Sequence, residues 1–233
     1  MPGASLETLL ERNREHVDSL PGGHFDAVRD GQRPEVVSIC CSDSRVPQEG
    51  MWSVDEPGWL FTPSNIGNQV WDRHDGELVV DGSVLYPIRH TETRTTAVVG
   101  HTGCGAVTAA YDAVRSDGGD EPAGIRRRVE LLVPVVGEAI EHGVVDTDAS
   151  DSEVINRLVE YNVRRQVEFL EESDEVPEDE RIYGFVYDFQ GVYGSAPGRT
   201  YLVSTDGETD PERLRSAVPA EYAEHVESLL EDG

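Results

Sequence analysis

The sequence predicts an α/β fold: a mostly parallel central β-sheet with an antiparallel edge strand, flanked by helices. Two observations carry this. Compact β-type runs (EVVSIC at 35–40, TTAVVG at 95–100) alternate with patterns of helical periodicity, as parallel sheets require. Two later β-type runs, 182–189 and 199–204, follow one another with no helix between them, which reads as a hairpin on one edge. The chain has 233 residues, 37% of them hydrophobic. That is enough to bury a real core, and no repeat or linker divides it. Residues 1–233 therefore read as one domain, with an N-terminal helical arm at about 1–30 and a C-terminal helix at about 210–233.

In chain order, residues 4–19 carry apolar side chains at helical spacing, and Pro21-Gly22-Gly23 ends that helix. A short helix through Phe25 and Val28 is expected next. The strand 35–40 follows, then a shorter β-run at Trp59–Thr62. Residues 77–89 read as one helix, with Pro87 near its end. After the strand 95–100 come Gly103-Cys104-Gly105 and a helix over 106–115. A polar, Gly-rich connection (116–124) leads to long amphipathic patterns at 126–142 and 152–170. An acidic loop (171–180), the two hairpin strands and a closing helix at 211–230 complete the chain.

The charge balance excludes several functions. Asp and Glu total 46 against 19 basic residues, a formal net charge of −27. Such a field repels phosphates, which argues against nucleic acid and anionic lipid as partners. No run approaches the ~18 apolar residues of a membrane span, and the N-terminus lacks a signal peptide's apolar stretch. A cytoplasmic protein is the expectation. Every basic residue is Arg; there is no Lys. An acidic, lysine-free chain suits a salt-rich, halophilic cytoplasm, where a Debye length near 3 Å at ~1 M salt screens self-repulsion.

Three cysteines are too few for a disulfide framework. Two of them fall in the chemistry-bearing segments. Cys41-Ser42-Asp43-Ser44-Arg45 follows the strand EVVSIC, and His101-Thr102-Gly103-Cys104-Gly105 follows TTAVVG. In an open parallel sheet the carboxyl ends of strands share one edge, where ligands bind. Cys41, His101 and Cys104 would there give two thiolates and an imidazole, a set suited to Zn²⁺ with a fourth position left open. Asp43 and Arg45 are close enough for a guanidinium fork to hold an ionised carboxylate beside the metal. Cys40 alternates to the opposite face and reads as core. The remaining histidines lack partnered ligand spacing. No Walker lysine or full G-x-G-x-x-G accompanies the Gly-rich turn.

The pattern resembles the β-class carbonic anhydrases. Gly31-Gln32-Arg33-Pro34, CSDSRVP (41–47), SNIGN (64–68), Ser83 to Tyr86 and VVGHTGCGAV (98–107) come in the family's order and approximate spacing. Asn162-Val163 with Gln166, and Tyr187-Asp188, also look similar, so the likeness covers roughly 20–205. It implies one Zn²⁺ per subunit on Cys41, His101 and Cys104, with Asp43 and Arg45 as a catalytic dyad. Gln32, the Gly105 N–H and Tyr86 would contact substrate. The implied reaction is reversible hydration of CO₂ to bicarbonate and a proton by attack of zinc-bound hydroxide. The alternatives are a same-fold hydrolase of CS₂ or COS, or a non-catalytic zinc-containing anion sensor. The likeness also implies a homodimer or dimer-based oligomer in which Gln32 and Tyr86 serve the neighbour's zinc. Ser64 and Ser38 depart from the pattern: members with a regulatory bicarbonate site carry Arg and Trp there. The departures favour water over Asp43 as the resting fourth ligand.

Overall fold

A computed structural model of the chain describes residues 3–116 and 121–230. Its sheet has the strand order β2-β1-β6-β7-β8, with β3 also paired to β1. The strands are β1 (Val36–Cys41), β2 (Leu60–Phe61), β3 (Ser64–Asn65), β6 (Thr95–His101), β7 (Arg181–Asp188) and β8 (Arg199–Thr205). All pairings are parallel except β7 with β8, the expected antiparallel edge. The central strands read as near-continuous hydrophobic runs because both faces are covered. In β6 every residue after Thr95 is buried. Cys40 and Cys41 point to opposite faces: Cys41 joins the main core cluster, and Cys40 a smaller one with Val46, Ala97 and Val99.

A separate antiparallel pair, β4 (Trp71–His74) and β5 (Glu77–Val80), precedes helix α3 (Gly82–His90). The expected single helix over 77–89 is therefore corrected. Asp75 and Gly76 both have positive φ and make the hairpin turn, and Asp81 caps α3 by accepting from the Ser83 amide. The pattern at 126–142 is likewise two helices, α5 (Ala123–Glu130) and α6 (Val133–Glu141). Pro134, in the first turn of α6, has no N–H to continue a helix through it. Around Phe25 and Val28 the chain makes successive hydrogen-bonded turns instead of a helix, with Gly23 in a left-handed conformation. The closing helix ends early. Helix α8 spans Pro211–Ala217, Pro219 follows, and a 3₁₀ turn covers Ala220–His225. Residues 231–233 of that expected helix, 117–120 of the Gly-rich connection and 1–2 of the arm lie outside the described residues.

Helix α1 (Leu6–Ser19) is present but buries no residue; Leu6, Leu9 and Leu10 are exposed. A four-residue helix, α2 (Gln48–Met51), follows β1. Two longer helices position the site. One is α4 (Gly105–Arg115), which leaves the end of β6. The other is α7 (Asp151–Glu171), which opens on a Ser150/Glu153 capping box and lies along β6 and β7. Buried amides on α7 hold the chain before β4. Gln166 accepts from the Val70 amide at 2.8 Å and donates to Asn162, which donates to the Gly67 carbonyl.

Candidate active site

Cys41 ends β1, His101 ends β6 and Cys104 caps α4. Because β1 and β6 are adjacent and parallel, their carboxyl ends bring the three side chains to one point. All three are buried, and their ligand atoms lie within 4.8 Å of one another. The two sulfurs are 3.9 Å apart, too far for a disulfide. Two Zn–S bonds of ~2.3 Å at a tetrahedral angle would place them about 3.8 Å apart.

The imidazole is the sharper test of fit. Nδ1 of His101 lies 3.0 Å from the Thr102 carbonyl, and Nε2 is buried with no hydrogen-bond partner among the described residues. A backbone carbonyl on Nδ1 fixes the proton there and leaves the Nε2 lone pair free, the arrangement of a metal-ligating histidine. The sulfurs are prepared too. The Gly67 amide donates to Cys41 Sγ at 3.4 Å. The Cys104 thiol also donates to Cys41, which lowers the Cys41 pKa, and the same bond together with burial raises Cys104. The Ala106 and Val107 amides at the start of α4 act the other way on Cys104, favouring its thiolate. The residues present fit a zinc ion.

Asp43 sits at the rim. Its Oδ1 accepts from the backbone N–H of Arg45 at 2.9 Å and from Arg45 Nε at 2.8 Å; its Oδ2 accepts from Arg45 Nη2 at 2.6 Å. This two-pronged grip holds the carboxyl well below the usual carboxylate range, against the opposing effect of burial. Oδ2 is also 3.6 Å from His101 Nε2. Gly105 opens α4, so its N–H is among those a helix start leaves without an intrahelical acceptor. A Cβ built there would meet nothing within 4 Å, which marks open space in front of it.

The structure thus brings Cys41, His101, Cys104, Asp43, Arg45 and Gly105 together. Gln32 and Tyr86 lie elsewhere within the chain. Gln32 is exposed before β1, and Tyr86 is half-exposed on α3 against Phe61 and His90. Ser38 accepts a hydrogen bond from Trp52 Nε1 at 3.2 Å, and Ser64 one from Gln48 Nε2 at 2.6 Å. Two neutral pairs therefore occupy these positions.

Several supporting residues escape a reading of the sequence. The buried Asn156 accepts from the Gly103 amide at 2.8 Å and so ties the loop between His101 and Cys104 to α7. The buried Asp188 accepts from the amides of Gln190, Gly191 and Tyr193 and from the Thr102 hydroxyl. Phe189 lies against both His101 and Arg45. The Tyr187-Asp188 likeness is the one sequence signal for this region.

Fold and site define a class: α/β proteins that can seat one ion between adjacent strand ends on a Cys-His-Cys set, beside an arginine-held aspartate. Comparison with known proteins places the chain within that class. The family model for carbonic anhydrase matches residues 36–192, and the chain belongs to that family. The Emericella nidulans carbonic anhydrase is 31% identical over 160 residues, covering 67% of this chain and 65% of that protein. The Pseudomonas aeruginosa carbonic anhydrase is 31% identical over 171 residues, covering 71% and 74%. A structure of tetrameric β-carbonic anhydrases from Sordaria macrospora superposes with a TM-score of 0.69 at 21% identity, covering 85% and 96%, and shows the fold. The match spans a little under two thirds of the Emericella nidulans relative.

Proposed function

We propose that this protein catalyses the reversible hydration of CO₂ to bicarbonate and a proton, with one Zn²⁺ per subunit held by Cys41, His101 and Cys104. The observation that carries the reading is the buried, unpartnered Nε2 of His101 facing two thiol sulfurs, with an arginine-held carboxylate at its side. A zinc ion there would act as a Lewis acid and bring the pKa of water toward neutrality.

The chain's own groups supply the rest. Arg45 keeps Asp43 ionised and fixed, so Asp43 Oδ2 stays an acceptor near the cluster. It takes the hydrogen bond of the attacking water oxygen and turns a lone pair toward the CO₂ carbon. The Gly105 N–H donates to a product oxygen. Gln32 and Tyr86 act at the neighbouring subunit's site in a dimer-based assembly. The bare apolar face of α1 and the tetrameric Sordaria macrospora relatives support that assembly. CO₂ is neutral, so the acidic surface does not oppose its entry. Among the described residues no helix is long and apolar enough to cross a membrane. We place the protein in a salt-rich cytoplasm as a single-domain enzyme.

Stopped-flow CO₂ hydration on zinc-replete protein tests the reading. Asp43→Ala is expected to keep its zinc and lose at least ~10²-fold in rate, the scale of a lost proton-handling group. Cys104→Ser is expected to lose both metal and rate. A zinc-loaded wild type inert toward CO₂ would refute the proposal; turnover of COS or CS₂ instead would identify the competing hydrolase.

A further inference from the structure

We infer that Phe189 is a positioning residue: its ring clamps the Arg45 guanidinium, and so Asp43, beside His101. The inference rests on the reading of Asp43 and Arg45 given above.

Arg45 is the weak member of the pair. Its side chain is 48% exposed, against 16% for Asp43. On that exposed side water competes for the guanidinium even in a bidentate pair, and a long side chain gives up its rotamer freedom. Besides Asp43, the polar partner of the guanidinium among the described residues is the Gly103 carbonyl, 3.3 Å from Nη2. The ring of Phe189 supplies the missing restraint. Arg45 Cζ lies 4.5 Å from its centroid, in cation–π range. The His101 imidazole stacks on the same ring at 5.9 Å with planes 27° apart. One ring therefore touches both the imidazole and the cation that holds the carboxylate.

Phe189 is itself held. It follows Asp188, whose buried carboxylate gathers the amides of Gln190, Gly191 and Tyr193 and the Thr102 hydroxyl. The Thr102 amide donates to the Tyr187 carbonyl at 3.1 Å. The chain carrying Phe189 is thus fastened to the chain carrying His101, and ring and imidazole keep a set separation. An aliphatic side chain of similar bulk would cover the same surface without offering a π face.

Zinc-replete wild type, Phe189→Leu and Phe189→Tyr separate these roles. The first readout is the Arg45 Nε–H resonance, which a ring face shifts upfield and a held guanidinium protects from exchange. Wild type and Phe189→Tyr are expected to show a shifted, slowly exchanging signal; Phe189→Leu is expected to return it to the ordinary position with fast exchange. Zinc content is expected to stay the same in all three. In CO₂ hydration, kcat of Phe189→Leu is expected to fall about tenfold with KM unchanged, and Phe189→Tyr to restore it. An unshifted Arg45 signal in the wild type overturns the clamp. So does a Phe189→Leu variant with unchanged signal, or a Phe189→Tyr variant as impaired as Phe189→Leu. The resonance needs no turnover. A wild type inert toward CO₂ that shows the shift would therefore sink the proposed reaction and leave the clamp standing.

Discussion

At Glu180 burial and hydrogen bonding pull in opposite directions. Its Oε1 accepts from the Thr96 hydroxyl at 2.7 Å, while Oε2 is buried with no hydrogen-bond partner among the described residues. Burial wins and raises its pKa to about 7, with the Thr96 bond and Arg94 opposing and Asp179 adding to the rise. A carboxyl whose folded pKa stands above its unfolded value binds its proton more tightly when folded. The stability this lends is full below the unfolded pKa of about 4.5 and is lost as pH rises through about 7. Glu180→Gln keeps an acceptor for Thr96 and removes the charge. It is expected to raise the melting temperature at pH 8 by about 2–4 °C and to change it little at pH 4.5, as a calorimetric pH series would show. Glu160 is the contrasting case. It is more deeply buried, but its oxygens accept from Arg164, Ser228, Tyr193 and the Leu229 amide. Cutting it back to Ala would leave Arg164 with the Thr209 carbonyl and the Ser228 hydroxyl but without its carboxylate, and is expected to cost about 3–5 kcal/mol in denaturant melts. The sequence displays the Asp43–Arg45 pair because a fork two residues long is local. It hides Phe189, whose partners are set by strand register: His101 pairs with Tyr187 across β6 and β7, and only that pairing brings residue 189 over the imidazole.

Among the elements, the close seat of α7 on the sheet depends on two glycines. A Cβ at Gly100 on β6 would meet Val163 Cγ2 at 2.6 Å and Val159 Cγ1 at 3.1 Å. One at Gly184 on β7 would meet Val163 Cγ1 at 2.9 Å and Val167 Cγ2 at 3.1 Å. Gly100→Ala and Gly184→Ala are each expected to destabilise by about 1–3 kcal/mol in chemical denaturation, as overpacked cores do. Both press on Val163, so the double variant is expected to depart from the sum. Gly100 also lies one residue before His101, so its variant is expected to weaken zinc retention more than Gly184→Ala, measurable by competition with a chelator. The strands that carry the site were legible because each is a short β-rich run closed by Gly or polar residues. The β4–β5 hairpin was not. Its four-residue strands run directly into a capped helix, and ELVV at 77–80 continues a helical pattern without a break. Only the Asp75-Gly76 turn signals a hairpin locally. The stabilising contact is tertiary: Trp71 packs edge-on against Phe169 of α7 at 5.4 Å. Pro134 and Pro219, which divide the two overlong helices, were in plain view, but hydrophobic periodicity carries on past them.

Across the whole molecule, charge of one sign is expected to outweigh any single contact in setting how stability responds to salt. With 46 acidic and 19 basic residues, most carboxylates have no cation to meet even if every Arg is paired. The crowding is visible in a cavity of about 580 Å³ lined by Glu171, Glu172, Asp174, Glu178, Glu180 and Asp206, with no basic residue among the described residues of its wall. There burial first, and then the neighbouring Asp206, Glu168 and Glu172, raise the pKa of Glu171. Added salt acts in two directions. It weakens exposed pairs such as Arg94–Asp179 and Arg29–Asp26, but these contribute ~0–1 kcal/mol each. It also screens repulsion among a much larger set of unpaired carboxylates, once the Debye length falls from ~10 Å at 0.1 M to ~3 Å at 1 M. The second effect should win, so the melting temperature is expected to be higher in 2 M than in 50 mM KCl by on the order of 10 °C. A variant combining Glu172→Gln, Asp174→Asn and Glu178→Gln separates screening from general salting-out. It is expected to melt above wild type at 50 mM KCl and to converge with it at 2 M. Equal melting temperatures for the wild type at the two salt concentrations, or a variant gap that persists at 2 M, would mean that self-repulsion does not govern the stability of this fold.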